Sequence, residues 1–309
     1  MGAEVAMALW LALSVVFWQV SANQDNVIIV PQTAAQARVI KRVEAIQPPL
    51  AETAGMSGTV TLEVWISTDG VVTRTRTFSG MAMLENAAIE AVRQWRFGRF
   101  AVKGQPFNVR TMIDVPVGKT PKLDPLSVGF ADEWLPCRYA LEARRGPEAQ
   151  MACGGAERVV EMMPKSAFRE RSIVAFQQGA VLMLLNRPSD ALPKFEQALE
   201  SRQKSGMPGS ANEDVGMIYY GIARASRASG ASKRAGDFFE RAEKEFAALR
   251  RGATYTPSAE LKAGVDAERA EYRATHIEVL TDYVAFLREI GDKDANKVQE
   301  KLDRVLAER

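Results

Sequence analysis

The stretch between residues 58 and 78 alternates apolar and polar side chains, which is the period of strands buried on one face. The apolar positions of its first half are Val60, Leu62, Val64 and Ile66. Thr68-Asp69-Gly70 then favours a turn, because Asp-Gly accepts the backbone angles of a tight hairpin. The second half alternates threonines with Arg74 and Arg76, and burying two guanidinium groups would be prohibitive. We therefore predict a hairpin of two strands whose threonine side faces the core.

A helix and a third strand follow the predicted hairpin. Apolar residues recur every three or four positions between residues 84 and 95, which predicts one helical stripe that covers the sheet. Between residues 107 and 115 the odd-numbered positions predict the buried face of another strand. Trp95 and Phe97 are expected in the core. The predicted order is therefore strand, strand, helix, strand.

Short motifs along this order together resemble one known family. They are Gly58-x-Val60, Asp69-Gly70-x-Val72, Ser79-Gly80, Leu84 with Ala87-Ala88, Ala91-Val92, Trp95-Arg96-Phe97 and Gly104-x-Pro106. In this order and spacing, residues 48 to 117 resemble the C-terminal domain of the TonB family. The resemblance implies a periplasmic domain that grips an extended segment of an outer-membrane transporter by adding it as a strand to a sheet edge.

By the same resemblance, we expect the binding edge on the third strand. The residues expected to bind the partner are Val109, Arg110, Thr111, Met112, Ile113, Asp114 and Val115. Among them, Arg110, Met112 and Asp114 would point outward and tune selectivity. Trp65 has two open interpretations, an exposed contact with the partner or packing under residues 23 to 47. The edge itself could instead be covered by the second domain, or could pair with a second copy of the chain.

Beyond residue 131 the sequence is helical in pattern and repeats itself. Gly179, Ala191, Phe195 and Ala198 form one set, Gly221, Ala235, Phe239 and Ala242 form a second, and Tyr283, Ala295 and Leu302 form a degraded third. The spacing resembles tetratricopeptide repeats, in which a small residue lies where helices touch and a large one fills the groove. Such repeats stack, and the resemblance implies a concave groove that binds a second protein.

The N-terminus and the cysteines both indicate export. Residues 5 to 18 are apolar apart from Ser14, which suits a signal peptide, although extension through Val20 would also suit an uncleaved membrane anchor. In an oxidising compartment, Cys137 and Cys153 are expected to pair across a helical hairpin that breaks at Gly146-Pro147. Two buried unpaired thiols are the alternative. We expect a location in the periplasm or cell envelope of a Gram-negative-type bacterium.

Charge and composition exclude several functions. With 40 basic and 38 acidic residues the formal net charge is +2, too small to gather nucleic acid over a distance. One His and two Cys leave too few ligands for common zinc or iron–sulfur sites, so no metal and no cofactor is expected. No nucleophile, Walker or dinucleotide motif occurs in the sequence, and His276 is expected on a charged helix surface.

These observations predict an α+β chain, a small β-β-α-β domain followed by an all-α tetratricopeptide-like array. The expected segments are a signal peptide or anchor (1–22), a lead segment (23–47), the TonB-like domain (48–117), a linker (118–131), a helical hairpin cap (132–164) and the repeat array (165–309). Full energy transducers of the TonB family carry a long proline-rich spacer and end with this domain, whereas here a large domain follows it. We therefore predict an exported, non-enzymatic adaptor that binds proteins. The alternative is an envelope scaffold whose TonB-like domain forms homodimers.

Overall fold

A computed structural model describes residues 27–119, 125–205, 213–252 and 259–308. The chain divides into two units, Met1–Thr120 and Pro121–Arg309. The first unit holds the strands and three short helices, and the second is entirely helical in its described part. This arrangement confirms the α+β prediction.

The first unit is built on a four-stranded sheet with the order β1-β8-β3-β4. Its strands are β1 (Val27–Ile29), β3 (Gly58–Ile66), β4 (Val72–Ser79) and β8 (Asn108–Val117). β3 pairs antiparallel with both β4 and β8, and its register with β8 runs without interruption from Gly58↔Val117 to Ile66↔Val109. Gly70 forms the turn between β3 and β4 at φ 77°, where an added Cβ would lie 1.9 Å from the Phe97 carbonyl oxygen. The hairpin predicted from the alternation of apolar and polar residues is therefore confirmed.

Helix α3 (Ala82–Arg93) covers one face of this sheet and closes the core. Its stripe of Leu84, Ala88 and Val92 is fully buried, as are Val60, Leu62 and Val64 of β3. Trp95 and Phe97 are 1% and 2% exposed, which confirms that both lie in the core.

The segment before the predicted domain contains structure of its own. Helix α1 (Gln32–Gln36) follows β1, strand β2 (Val39–Lys41) pairs with β5 (Arg96–Phe97), and helix α2 (Pro49–Thr53) leads into β3. The Trp95 indole N–H donates to the Val43 carbonyl oxygen at 2.8 Å. A small hairpin, β6 (Ala101–Val102) with β7 (Gln105–Pro106), precedes β8. Residues 27 to 47, part of the predicted lead segment, therefore pack within the first unit.

The second unit consists of antiparallel helix pairs in the part that the structure describes. The helices are α4 (Pro125–Glu142), α5 (Gly146–Met162), α6 (Phe168–Leu184), α7 (Pro188–Lys204), α8 (Glu213–Ala228), α9 (Ser232–Gly252), α10 (Ala259–Glu289) and α11 (Ala295–Ala307). Consecutive helices pack as pairs, and neighbouring pairs stack on one another. Helix α4 begins earlier than the linker boundary at residue 131 had suggested.

Two sequence signals of this unit are visible in its packing. Cys137 and Cys153 form a disulfide that joins α4 to α5, with their Cα atoms 4.5 Å apart. Gly179 of α6 and Gly221 of α8 both lie against the ring of Phe195 on α7, and an added Cβ at either glycine would meet the ring at 2.7 Å. The ring of Phe239 stacks on that of Tyr283 with centroids 5.5 Å apart, which links the second repeat to the third. Among the described residues, no helix is both long and apolar enough to cross a membrane.

Candidate protein-interaction site

The predicted binding strand is β8, and it does not lie at the end of the sheet. Strand β1 pairs with it in parallel along Val27↔Asn108, Ile28↔Val109 and Ile29↔Arg110. The Val30 N–H continues this pairing by donating to the Arg110 carbonyl oxygen at 3.3 Å. We call the side of β8 that faces away from β3 the β8 edge. The structure differs from the expectation of an open edge, because the chain's own backbone occupies its first three positions.

Helix α1 and the chain after β2 flank the rest of the β8 edge. The Gln32 side-chain amide donates to Asp114 Oδ2 at 2.6 Å, and both residues are buried. At the far end of the strand, Ala45 forms a parallel bridge with Val117. The seven predicted partner-binding residues therefore lie together on one strand, but that strand is flanked along its length by residues 27 to 45.

The side chains expected to point outward from β8 are buried. Arg110, Met112 and Asp114 are 4%, 0% and 7% exposed, so the prediction that they form an accessible selectivity surface does not match the structure. The Arg110 guanidinium donates to the Glu63 carboxylate on β3. Thr61 donates to Asp114 Oδ1 at 2.6 Å. These polar groups find their partners inside the unit, which is why they can be buried.

The odd-numbered predicted residues of β8 are buried as well. Val109, Thr111, Ile113 and Val115 are each at most 1% exposed. Trp65 lies half-buried on the same face as Arg110, and its ring stacks between two guanidinium groups. The Arg74 and Arg110 carbons lie 4.6 and 5.0 Å from the ring centroid. Trp65 is therefore held by cation–π contacts within the sheet.

The other end of the sheet is β4, which pairs only with β3 among the described strands. Ser67 donates its N–H to the Val71 carbonyl oxygen at 2.8 Å. Counting back from Ser67 in steps of two, Trp65 and Glu63 therefore also direct their main-chain groups toward β4. These two residues pair with Arg74 and Arg76. The main-chain groups of Thr75 and Thr77 therefore point away from the sheet. Sequence reasoning did not single out this second edge.

The helical unit carries a shallow, open depression of mixed polarity. It has a volume of about 340 Å³ and is lined by Met183, Arg224, Arg227, Ala228, Asp282 and Glu289. We call this surface, on α6, α8 and α10, the helical groove. Its charges are paired, with Arg227 donating to Glu289 at 2.6 Å and Arg224 lying 3.6 Å from Asp282. Tyr220 donates to Asp282 at 2.6 Å, and burial together with the neighbouring carboxylates raises the pKa of this phenol.

His276 lies inside the helical unit and not on its surface as predicted. It is 2% exposed, and its Nδ1 lies 3.1 Å from the Arg250 guanidinium. The Glu243 carboxylate lies 4.0 Å from Nε2 and also pairs with Lys301 at 3.0 Å. The contacts of this buried cluster join α9, α10 and α11. Its geometry is that of a structural network.

The comparisons with known proteins identify the first unit. The family described as "Gram-negative bacterial TonB protein C-terminal" matches residues 47–117. Protein TonB of Vibrio cholerae serotype O1 (strain ATCC 39315 / El Tor Inaba N16961) is 31% identical over 83 residues, which are 26% of this chain and 33% of that protein. The chain thus spans about a third of the length of this relative. Both comparisons support a likeness of residues 47–117 to the C-terminal domain of TonB.

A likeness among solved structures concerns a larger part of the chain. The crystal structure of BtubC (BKLC) from P. vanneervenii aligns with a TM-score of 0.46 and 14% identity, over 60% of this chain and 66% of that one. The likeness carries no argument about function. The tetratricopeptide-like array stays a prediction from the residue pattern of the helical unit.

Proposed function

We propose that this protein is an adaptor of the Gram-negative cell envelope that binds other proteins and carries out no covalent chemistry. Its TonB-type domain captures an extended segment of an outer-membrane transporter or another envelope protein by strand addition. The helical unit binds a second partner. The observation that carries the proposal is the pairing of β1 with β8, since it supports the idea that the β8 edge accepts an added parallel strand.

In this proposal the partner's segment takes the place of β1. Strand β1 has three residues, and all three are only half-buried, so its displacement gives up few contacts. An incoming strand would make the same main-chain bonds to Asn108, Val109 and Arg110. The exchange therefore replaces one set of backbone hydrogen bonds with another. Because β1 competes with the partner's segment for β8, it lowers the apparent affinity of the domain for that segment.

Capture along the remainder of β8 requires more than the loss of β1. Helix α1 lies beside this part of the strand and is held there by the bond from Gln32 to Asp114. A partner that pairs beyond Arg110 must therefore move α1 and break a buried hydrogen bond. The predicted contacts at Thr111, Ile113 and Val115 depend on this second step.

A peptide titration of the full chain tests the exchange. The probes are extended peptides copied from the N-terminal segments of outer-membrane transporters, and affinity is measured by fluorescence anisotropy. Ile28→Asp removes an apolar contact of β1 with the core and should raise the affinity up to about tenfold, since an internal strand of three residues contributes only a few weak hydrogen bonds. Cross-linking β1 to β8 through Ile28→Cys with Val109→Cys should abolish binding, whereas either single variant should not.

Thr75→Pro is the matched control at the other edge of the sheet. Because the Thr75 N–H points away from β3, this change removes an outward donor and leaves the hairpin pairing in place. If the peptide binds by exchange with β1 at β8, Thr75→Pro should bind it with unchanged affinity. If Thr75→Pro does not bind the peptide while the cross-linked protein binds it normally, the peptide is captured by β4 and not by β8. If no peptide binds any variant, the adaptor proposal fails.

The scaffold alternative predicts a different result in the same samples. If the sheet edge serves for homodimerisation, light scattering of the full chain should report a mass that doubles with concentration and returns to the monomer value in Thr75→Pro or in the cross-linked protein. The adaptor predicts that none of these changes alters the mass. Inner-membrane anchoring through the apolar N-terminal stretch is compatible with either role.

The helical groove is the proposed site of the second partner. Its paired charges offer both signs of charge, and Met183 adds an apolar contact, which suits a polar peptide segment. Arg227→Ala breaks the pair with Glu289 at the groove surface. We expect Arg227→Ala to bind the second partner more weakly than the parent protein does. Its affinity for the transporter peptides should be unchanged.

A further inference from the structure

The small ladder of β2 and β5 gathers positive charge on one surface of the first unit. Six exposed cations lie in β2 or on either side of it, at the start of β5, and in the loop and turn that follow β5. They are Arg38, Lys41, Arg42, Arg96, Arg99 and Lys103, and we call this surface the basic face. The whole chain has a formal net charge of only +2, so this concentration is a local property.

Contacts between the two strands hold the basic face together. Lys41 lies opposite Arg96 in the ladder, and the Gly98 N–H donates to the Arg38 carbonyl oxygen at 2.7 Å. The Arg38 guanidinium in turn donates to the Arg99 carbonyl oxygen at 2.7 Å. Lys103 occupies the turn of the β6–β7 hairpin a few residues later. Segments far apart in sequence are thereby brought side by side.

Little negative charge compensates these cations in the described part of the chain. Their one carboxylate partner there is Asp69, 3.9 Å from Arg99, and both side chains are more than three-quarters exposed. Two of the arginines stack on buried aromatic rings, Arg38 over Phe100 and Arg42 over Trp95. Stacking fixes the position of a guanidinium group without neutralising it. The basic face therefore keeps most of its charge.

Exposed apolar side chains occur in the same segments, Ile40 in β2 next to Lys41 and Val102 in β6 next to Lys103. Ile40 is 75% exposed and Val102 is 48% exposed. A surface that combines lysines, arginines and protruding aliphatic side chains fits a bilayer with anionic headgroups, because the cations meet phosphates while the aliphatic groups enter the acyl boundary. A nucleic acid or a purely acidic peptide would leave Ile40 and Val102 without a suitable contact.

The chain also delivers this domain close to an apolar segment. Six residues separate Val20, the end of the apolar stretch, from Val27, the first residue of β1. A fully extended chain of this length reaches about 25 Å. If the apolar stretch stays inserted in a bilayer, the domain therefore lies at most about this far from the bilayer surface. Val27 pairs with Asn108, which lies two residues after the end of the β6–β7 hairpin and five after its turn residue Lys103.

We propose that the basic face docks the TonB-type domain onto an anionic phospholipid surface, with Ile40 and Val102 at the acyl boundary. Docking is separate from strand capture, because the basic face and the β8 edge use different residues. It would keep the domain at one membrane while its β8 edge stays available to a partner.

Residue-specific labelling of the full chain tests this proposal. An amine-reactive reagent is applied with vesicles of phosphatidylcholine alone or mixed with phosphatidylglycerol, and labelling rates are read by mass spectrometry. Phosphatidylglycerol should slow labelling of Lys41 and Lys103 about fivefold or more, and high salt should abolish the effect. The exposed Lys233 and Lys297 of the helical unit should label at the same rate throughout.

Variants make the test specific to the basic face. Arg99→Gln with Lys103→Asn should lower the protection of Lys41 from about fivefold to about twofold or less, since each cation near the surface adds to the attraction. Asn tolerates the positive φ of 50° at residue 103. The matched control, Lys233→Gln with Lys297→Gln, carries the same charge change and should have no effect. Equal labelling with both kinds of vesicle, or protection by a glutamate-rich peptide in place of vesicles, would overturn the proposal.

Discussion

Two glycines and one phenylalanine decide how closely helices α6, α7 and α8 pack. Gly179 and Gly221 approach the Phe195 ring from different helices, and neither leaves space for a methyl group. The sequence pattern indicated both glycines and the phenylalanine, because small and large residues recur at a fixed spacing. It did not indicate that both glycines contact one ring.

Gly221→Ala should destabilise the helical unit by about 1–3 kcal/mol, since the new methyl group must displace a buried aromatic ring. Urea unfolding followed by circular dichroism measures the change. Gly236→Ala is the control on the next helix, where an added Cβ would lie 3.5 Å from Phe286, an ordinary contact. That variant should be neutral or gain up to about 1 kcal/mol from helix propensity. Equal losses in both variants would contradict the proposed role of the Phe195 ring.

The buried pair of Arg110 and Glu63 gives a second test at the level of residues. Both side chains are at most 5% exposed, so removing one leaves the other charge buried without this partner. Arg110→Met should therefore lower the free energy of unfolding by about 3–5 kcal/mol, and Glu63→Leu combined with it should restore most of the loss. Thermal unfolding of the parent protein, the single variant and the double variant measures this. An Arg110→Met protein of normal stability with altered peptide preference would instead support the predicted selectivity role.

At the level of elements, the strands and helices with strong periodicity were predictable and the short ones were not. The predictable elements are long enough to repeat their apolar pattern several times, and they are β3, β4, α3 and β8. β1, by contrast, has three residues and pairs with a strand about 80 positions later, so local periodicity does not indicate it. The apolar run Val27-Ile28-Ile29-Val30 was the available signal.

The site was predicted less well than the fold for a related reason. Alternation assigns one buried face to a strand, but β8 is buried on both faces. Asp114 can be buried because Gln32 and Thr61 reach it from distant parts of the sequence. Such partners become visible only when the tertiary structure brings the elements together.

The disulfide between α4 and α5 provides a test at the level of elements. Cys137→Ala with Cys153→Ala should lower the stability of the helical unit by about 3 kcal/mol, the chain-entropy value for a loop of this length. The urea midpoint of the helical signal measures this, with Arg169→Ala as an unrelated variant in the same unit. An unchanged midpoint would mean that helix packing alone fixes the hairpin.

At the level of the whole molecule, the disulfide also reports where the chain folds. Expressed with residues 1 to 22 in a Gram-negative host, the protein should carry an oxidised Cys137–Cys153 pair, because periplasmic thiols are paired and cytosolic thiols stay reduced. The chain without these residues should be reduced in the same cells. Alkylation of free thiols followed by gel electrophoresis distinguishes the two states. Equal oxidation of both proteins would contradict export as the source of the pairing.

The parallel direction of β1 has a mechanical consequence for any segment that replaces it. Such a segment would enter at the Asn108 end of β8 and leave toward the Val117 end. A pull on either of its ends would act along the strand axis, so the hydrogen bonds would be loaded together in shear. A perpendicular pull would open them one after another. A segment paired with β8 would therefore resist tension along the strand axis and yield to peeling.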